Sequence, residues 1–369
     1  MKRQLLAVAI AAATLLPLTA QAAPTVYGRL NLSVDYTDSD DATNNAKDGI
    51  WELNSNSSRI GVKGNEKLTE EFTAVYKAEW EVQGDMAGGK DLNARERYLG
   101  LKHYQWGTVR LGNIDSPLKN AEDDIDVFND MARLDMGKFI YGQNRLENSI
   151  NYVSPKFLDV FGANISLQPG EKNGGADSSS LCTVPKTPTD PAYNPCENHI
   201  ADAISAAFSY EDDNLYLSFA MDKEVADSAT RKGSLGGNVD AMRLNARYKM
   251  GDATISAMYQ MAEQSSLAAG ATNEEEETAM MFSGSYKMDA ITVRGEVLVA
   301  NHDMGGGKED DTTLIGVGVD YNFTQATKAF ANLASGNMEN SPSAAAKAAG
   351  AKSTDSDATY IGFGMETRF

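Results

Sequence analysis

The segment from residue 115 to residue 148 is rich in carboxylates, and basic side chains recur in the segments on either side of it. Like charges on one surface repel, so they persist where water screens them and opposite charges face them. One interpretation of the pattern is therefore a hydrated space in which an acidic segment faces a basic wall. The acidic candidates are Asp115, Glu122, Asp123, Asp124, Asp126, Asp130 and Asp135, and the basic candidates are Arg29, Arg59, Lys63, Lys77, Arg95, Arg97 and Arg145. A solvated surface loop with a short helix is the other interpretation, and the residues alone favour it.

The elements that would hold these residues alternate strictly between apolar and polar side chains. A period of two gives a strand two different faces, here one apolar and one charged. In the first such segment, Val26, Leu30, Leu32, Val34 and Tyr36 share one parity, whereas Arg29, Asn31, Ser33 and Asp35 share the other. A soluble β-sandwich would alternate in the same way, so the period alone does not identify the fold.

The connections between these segments are alternately short and long, except that the connection 83–92 is of middle length. The short ones are 66–71, 105–107, 156–159, 211–214, 250–252, 288–289 and 323–326, and the long ones are 38–49, 115–148, 170–200, 222–239, 264–277, 301–312 and 336–357. Short turns on one rim and long loops on the other are typical of transmembrane barrels, which have periplasmic turns and extracellular loops. The chain after residue 22 has no apolar run long enough for a membrane helix. A closed barrel is the other structure that can span lipid, because it pairs every backbone N–H and C=O group within the protein. We therefore predict an all-β fold, a closed antiparallel transmembrane β-barrel of about sixteen strands.

The N-terminus predicts export from the cytosol. Lys2 and Arg3 precede an apolar stretch over residues 5–18, and Ala20-Gln21-Ala22 fits a cleavage site, so residues 1–22 read as a signal peptide. A membrane anchor is the alternative, although the stretch is short for one. The formal net charge of −19 argues against nucleic acid as a partner. The two cysteines, Cys182 and Cys196, predict a disulfide, and a metal site is the alternative.

Several stretches resemble the general trimeric porins of Gram-negative outer membranes. They are Tyr27-Gly28-Arg29-Leu30, Ser58-Arg59-Ile60-Gly61-Val62-Lys63-Gly64, Arg97-Tyr98-Leu99-Gly100-Leu101-Lys102, Gly107-Thr108-Val109-Arg110-Leu111-Gly112, Asn148-Ser149-Ile150-Asn151-Tyr152-Val153-Ser154-Pro155 and the terminal Phe369. Gly364-Met365-Glu366 departs from the family, in which many members carry a basic residue or His nearby.

The resemblance implies that residues 23–369 form one porin domain in the outer membrane. It implies that the third loop, 115–148, folds into the lumen as a constriction, with Arg145 in the basic wall, and that the loop 170–200, with its disulfide, is extracellular. Phe369 would belong to the assembly signal. The implied partners are two further copies in a homotrimer, outer-membrane lipids and lipopolysaccharide, the outer-membrane assembly machinery, and small hydrophilic solutes and ions.

We therefore expect a water-filled channel for passive diffusion, with a weak preference for cations because the chain is acidic. A solute-specific channel would need an aromatic ladder, yet lumen-parity aromatics are few: Tyr27, Tyr216 and Tyr360. An enzyme is less favoured, because His103, His199 and His302 are scattered and no nucleophile elbow or phosphate loop occurs. We expect no metal and no cofactor. An adhesin of the same architecture is a further alternative.

Overall fold

The computed structural model describes most of the chain after residue 23, and most of that part is β strand. The predicted signal peptide, residues 1–22, and both cysteines, Cys182 and Cys196, lie outside the described residues. The described residues are 24–39, 49–86, 92–170, 199–227, 235, 237–265, 275–305, 308–340 and 354–369.

Seventeen strand segments occur in the described residues. They are β1 (Thr25–Ser39), β2 (Ile50–Ser55), β3 (Arg59–Lys67), β4 (Phe72–Val82), β5 (Leu92–His103), β6 (Gly107–Asp115), β7 (Arg145–Val153), β8 (Phe161–Gln168), β9 (Ala203–Glu211), β10 (Leu215–Ala226), β11 (Asn238–Met250), β12 (Ala253–Gln264), β13 (Glu276–Met288), β14 (Ile291–Asp303), β15 (Glu309–Asn322), β16 (Thr327–Asn340) and β17 (Thr354–Arg368).

The sheet closes on itself. From β3 onward each strand pairs antiparallel with the next, and β17 pairs with β1, where Arg29 lies opposite Arg368. Both β2 and β3 pair with β1, so they are two halves of one strand, interrupted at residues 56–58, where Ser57 has a φ of 49°. Counting β2 and β3 as one strand, the barrel has sixteen strands. Because it is closed, no strand edge is left unpaired in lipid. The predicted fold class is confirmed.

Burial in this barrel is the reverse of that in a soluble sandwich. Along β1, the apolar Val26 and Val34 are 60% and 47% exposed, whereas the polar Asn31 and Asp35 are both 0% exposed. The apolar parity therefore faces outward and the polar parity faces the lumen. Among the described residues no helix is long and apolar enough to cross a membrane.

The connection between β6 and β7 lies inside the barrel, as the prediction for the third loop requires. It contains a four-residue helix, α1 (Pro117–Asn120), and a 3₁₀ turn (Met136–Lys138). One side of this loop is apolar and packs against apolar side chains that line the lumen on β12 to β17. The loop contributes Ile125, Phe128, Leu134, Met136 and Ile140, and the wall contributes Met258, Met281, Leu298, Leu314, Phe330 and Tyr360. This core holds the loop to one half of the barrel, so the remaining space lies against the other half.

Candidate functional site

The tip of the inner loop is fixed to the wall by a carboxylate between two arginines. Asp130 Oδ2 lies 2.7 Å from Arg29 Nη2 and 3.3 Å from Arg59 Nη2. The interruption of the second strand orients Arg29, whose Nη2 also donates to the carbonyls of Asn56 and Ser57 at 3.0 and 3.2 Å. Burial raises the pKa of Asp130, but Arg29 and then Arg59 lower it more, to about 2. Asp130 is therefore ionised at neutral pH.

The base of the loop carries a second acid and base pair. Asp115 ends β6 and Arg145 begins β7, and the two residues lie directly opposite each other in the sheet. Asp115 Oδ1 lies 2.7 Å from Arg145 Nε and 3.4 Å from Lys119 Nζ. The pairing follows from the antiparallel register, since a loop must leave and re-enter the sheet at neighbouring positions.

The wall facing the loop carries alternating charges on β4 and β5. Glu79 accepts from Tyr27 Oη at 2.7 Å and from Arg95 Nε at 2.7 Å. Lys77 Nζ lies 3.5 Å from Glu79 and 2.6 Å from Glu96. Lys77 and Arg95 therefore both have acidic partners, and the wall that the sequence predicts to be basic is a lattice of ion pairs.

A β-bulge in β5 corrects one of the predicted site residues. The register between β4 and β5 shifts between Ala78 and Trp80, and both Arg95 and Glu96 contact lumen residues. Arg97 then lies opposite Ala78, on the outer face, and is exposed. The prediction that Arg97 lines the lumen is wrong, because a bulge adds one residue and reverses the parity that follows.

The open space lies between the loop and β3, β5 and β7. A cavity of 490 Å³ has Arg59, Arg95 and Arg145 on the wall, and Asp115 and Asp130 at the loop side. A second cavity of 380 Å³ also has Arg59, Arg95 and Asp115 in its lining, together with Tyr27, Lys77, Glu79 and Arg368. The three residues common to both linings mark the boundary between the two spaces.

Two of the predicted acids serve the loop itself. Asp126 accepts from the backbone N–H groups of Phe128 at 2.7 Å and Met136 at 2.9 Å, and it is buried. Asp135 accepts from the backbone of Asp130 and Gly137, each at 2.7 Å. Burial raises the pKa of both groups, and neighbouring carboxylates raise it further. Asp126 therefore shapes the loop and does not face the basic wall.

The remaining acids meet a different pair of bases. Glu122 lies 3.5 Å from Arg243 Nη1, while Asp123 and Asp124 pair with Arg247, Asp124 at 3.5 Å. Burial raises the pKa of Glu122 to about 7, although Arg243 opposes the shift. Sequence reasoning did not select the two arginines of β11. Their alternation with Met242 and Leu244 places them in the lumen, but the path of the loop across that wall has no signal in the sequence.

The terminal residue, Phe369, helps to close the barrel. The backbone of Phe369 exchanges two hydrogen bonds with Gly28, N–H to oxygen at 3.1 and 2.9 Å. Its ring lies over Gly28, where an added Cβ would be 2.4 Å from the ring Cζ. The predicted site residues that the structure brings together around the two adjoining cavities are Asp115, Asp130, Arg29, Arg59, Lys77, Arg95 and Arg145.

Comparison with known proteins gives consistent results. Residues 7–341 match a family model described as Gram-negative porin. The chain is 26% identical over 361 residues to the major outer membrane protein P.IB of Neisseria sicca, covering 89% of this chain and 92% of that protein. It is 31% identical over 164 residues to a chitoporin of Vibrio furnissii, covering 41% of this chain and 42% of that protein.

Solved structures share the fold. The anion-selective porin from Comamonas acidovorans superposes with a TM-score of 0.68 at 18% identity, covering 94% of this chain and 99% of that one. In-vitro folded OmpT of Vibrio cholerae, described as a trimer form, superposes with a TM-score of 0.61 at 18% identity, with the same coverage of 94% and 99%. At this identity the likeness concerns architecture alone.

Proposed function

Because the chain belongs to the family of Gram-negative porins, we propose that the space between its inner loop and the wall of β3, β5 and β7 is the constriction of its channel. The protein is an outer-membrane porin, and its barrel is a water-filled pore for passive diffusion of ions and small hydrophilic solutes. Diffusion is the whole of the proposed activity, without catalysis. The observation that carries the constriction is the ionised Asp130 held across the lumen at Arg29 and Arg59.

The proposed constriction selects by charge and by size. Asp115 and Asp130 line the 490 Å³ space together with Arg59, Arg95 and Arg145. Asp130 contacts Arg59 and Asp115 contacts Arg145, so acids and bases alternate around the space. Fixed charges of opposite sign across a narrow gap orient water and small dipolar solutes, while an apolar solute gains nothing there and loses its hydration. The predicted pore residues Glu122, Asp123 and Asp124 act at the side of this space, against β11.

A weak preference for cations is part of the proposal. Acidic and basic side chains nearly balance in the lining of the space, so neither sign dominates there. The chain as a whole carries a formal net charge of −19, which enriches cations at the mouth of the pore. A reversal potential measured under a potassium chloride gradient across a planar bilayer tests the sign, and a clear preference for chloride would overturn it.

Narrowing the space tests the constriction itself. Lys119 lines the 490 Å³ cavity, and Lys119→Trp adds bulk within it. We expect single-channel conductance to fall to roughly half or less, as for any obstruction at the narrowest section. Lys156→Trp, on a short turn and exposed, is the matched control and should conduct as the parent does. Equal conductance for Lys119→Trp and the parent would place the constriction elsewhere.

We also propose that the protein is a homotrimer. On β5, Arg97 projects outward above Leu99 and Leu101, and its guanidinium has no hydrogen-bond or ion-pair partner in the described part of the chain. An arginine in contact with hydrocarbon at mid-membrane costs about 2–4 kcal/mol. A second copy covering this face would remove that cost. The rest of the outer apolar face would contact outer-membrane lipids and lipopolysaccharide, and Phe369 would be read by the assembly machinery.

A further inference from the structure

The bulge in β5 brings a carboxylate into the lumen that strand alternation alone would not place beside Arg95. Glu96 is mostly buried, and its two oxygens have different partners. Oε2 lies 2.6 Å from Lys77 Nζ, while Oε1 accepts from the backbone N–H of Asp115 at 3.2 Å. One side chain therefore joins the wall of β4 to the residue from which the inner loop departs.

Glu96 is the nearest carboxylate to Lys77, at 2.6 Å. The other acidic neighbour of Lys77 is Glu79, at 3.5 Å, and Glu79 is already bound to Arg95 Nε at 2.7 Å. Without the Glu96 carboxylate, Lys77 would keep only Glu79, which it shares with Arg95, while Arg95 also lies 3.7 Å from Glu81. The wall beside the boundary residues Arg95 and Asp115 would then carry an extra positive charge.

The second contact acts on the loop. Asp115 lines both cavities, and its side chain is bound to Arg145 at 2.7 Å. Its backbone position sets where that pair lies across the space. Glu96 is the side chain that holds the Asp115 N–H.

We propose that Glu96 is a specificity-determining residue of the channel, acting through Lys77 and Asp115: it cancels the charge of one and fixes the backbone of the other. The inference rests on the proposed constriction. Glu96, a residue of the bulge, thus sets the balance of charge together with the acids and bases that line the constriction.

Two substitutions separate the two contacts. Glu96→Gln removes the charge and keeps an oxygen that can accept from Asp115, whereas Glu96→Ala removes both. In planar bilayers under a potassium chloride gradient, Glu96→Gln should lower the potassium-to-chloride permeability ratio about twofold, the effect of one screened charge at close range. Its open-channel current noise should match the parent. Glu96→Ala should show the same change in ratio and greater noise, because the loop is released.

Changes at Lys77 complete the test. Lys77→Gln should raise the permeability ratio about twofold, and the double variant Lys77→Gln/Glu96→Gln should restore the parental value. Glu70→Gln removes an exposed carboxylate on a short turn. It is the control for loss of one negative charge outside the constriction and should leave the permeability ratio unchanged. A ratio unchanged by Glu96→Gln, or a loss that Lys77→Gln does not reverse, would overturn the inference. A parent protein that forms no channel would instead overturn the proposed function.

Discussion

Arg29 and Asp130 are 101 residues apart in the sequence, and their side chains meet at 2.7 Å inside the barrel. One belongs to the first strand and the other to the tip of the inner loop. The contact joins the wall to the loop at the edge of the proposed constriction, and it suggests a direct test of the field there.

Asp130→Asn should shift ion preference toward anions. The substitution leaves Arg29 and Arg59 without their shared carboxylate, which lies 2.7 and 3.3 Å from them. We expect the potassium-to-chloride permeability ratio, taken from the reversal potential, to fall roughly two- to fivefold, because one negative charge is lost at short range from two bases. Arg29 keeps Glu366 as a neighbour at 3.7 Å. Asp124→Asn is the control, because Asp124 is in the same loop but its side chain is 86% exposed. A larger effect at Asp124 than at Asp130 would contradict this assignment.

The heat resistance of the folded barrel should fall as pH rises from 5 to 8. Burial raises the pKa of Glu122 from its ordinary 4.5 to about 7, so the folded chain binds this proton more tightly than the unfolded chain does. The contribution of Glu122 to the free energy of unfolding is therefore largest below pH 4.5, and this contribution is lost as the pH rises toward 7. The Glu122→Gln variant has no carboxyl group to ionise at this position, so it should show a weaker dependence, measured as the temperature at which the folded band is lost on a gel. Asp126 and Asp135, whose pKa values burial also raises, account for the rest. Glu309→Gln, at an exposed rim position, should leave the slope unchanged.

Gly28→Ala should weaken the closure of the barrel between β1 and the C-terminus. A Cβ at this position would lie 2.4 Å from the Phe369 ring and 2.9 Å from the Arg59 carbonyl oxygen, and the backbone atom cannot yield cheaply. We expect a loss of about 1–3 kcal/mol from overpacking, seen as a lower temperature of unfolding on gels. Gly295→Ala is a matched change within a strand, where the nearest atom is 3.6 Å away. Equal losses at both positions would argue against a special role for the Phe369 contact.

Arg97→Leu distinguishes a protein neighbour from lipid on the outer face. We expect that a second copy covers Arg97. The leucine of the variant cannot bind the polar group that Arg97 contacts on that copy, so the oligomer should dissociate at a lower temperature. If lipid covers Arg97 instead, the variant gains stability, by about 2–4 kcal/mol at mid-membrane. Native gels with a temperature series measure the change. Met261→Leu, an outward and exposed apolar position on β12, should have little effect in either case.

Much of this architecture follows from the alternation of residues and the lengths of the connections. The period of two placed Arg29, Arg59 and Lys77 in the lumen, and the resemblance to porins marked the segment after β6 as the loop that folds inward. Antiparallel pairing then brings Asp115 to Arg145.

Other features carry no periodic signal. The bulge in β5 adds a single residue, so alternation counted onward from Arg95 places Arg97 in the lumen. Arg97 shares its parity with the outward Leu99 and Leu101, but nothing in the sequence marks where the bulge lies. Side-chain direction within an irregular loop has no period either, so Asp126 could not be separated from Asp130 by inspection of the sequence. The contact of Glu122 with Arg243 depends on the path of the loop across β11, which only the folded chain defines.

The inner loop has one apolar side, seated on β12 to β17, and one charged side, turned to the opposite wall. The residues that keep the loop in place are thus largely distinct from those that a passing solute meets. Exchange of one or two side chains on the charged side can alter what the pore admits without disturbing the apolar seat. Divergent members of such a lineage could therefore acquire new permeability while retaining the same scaffold.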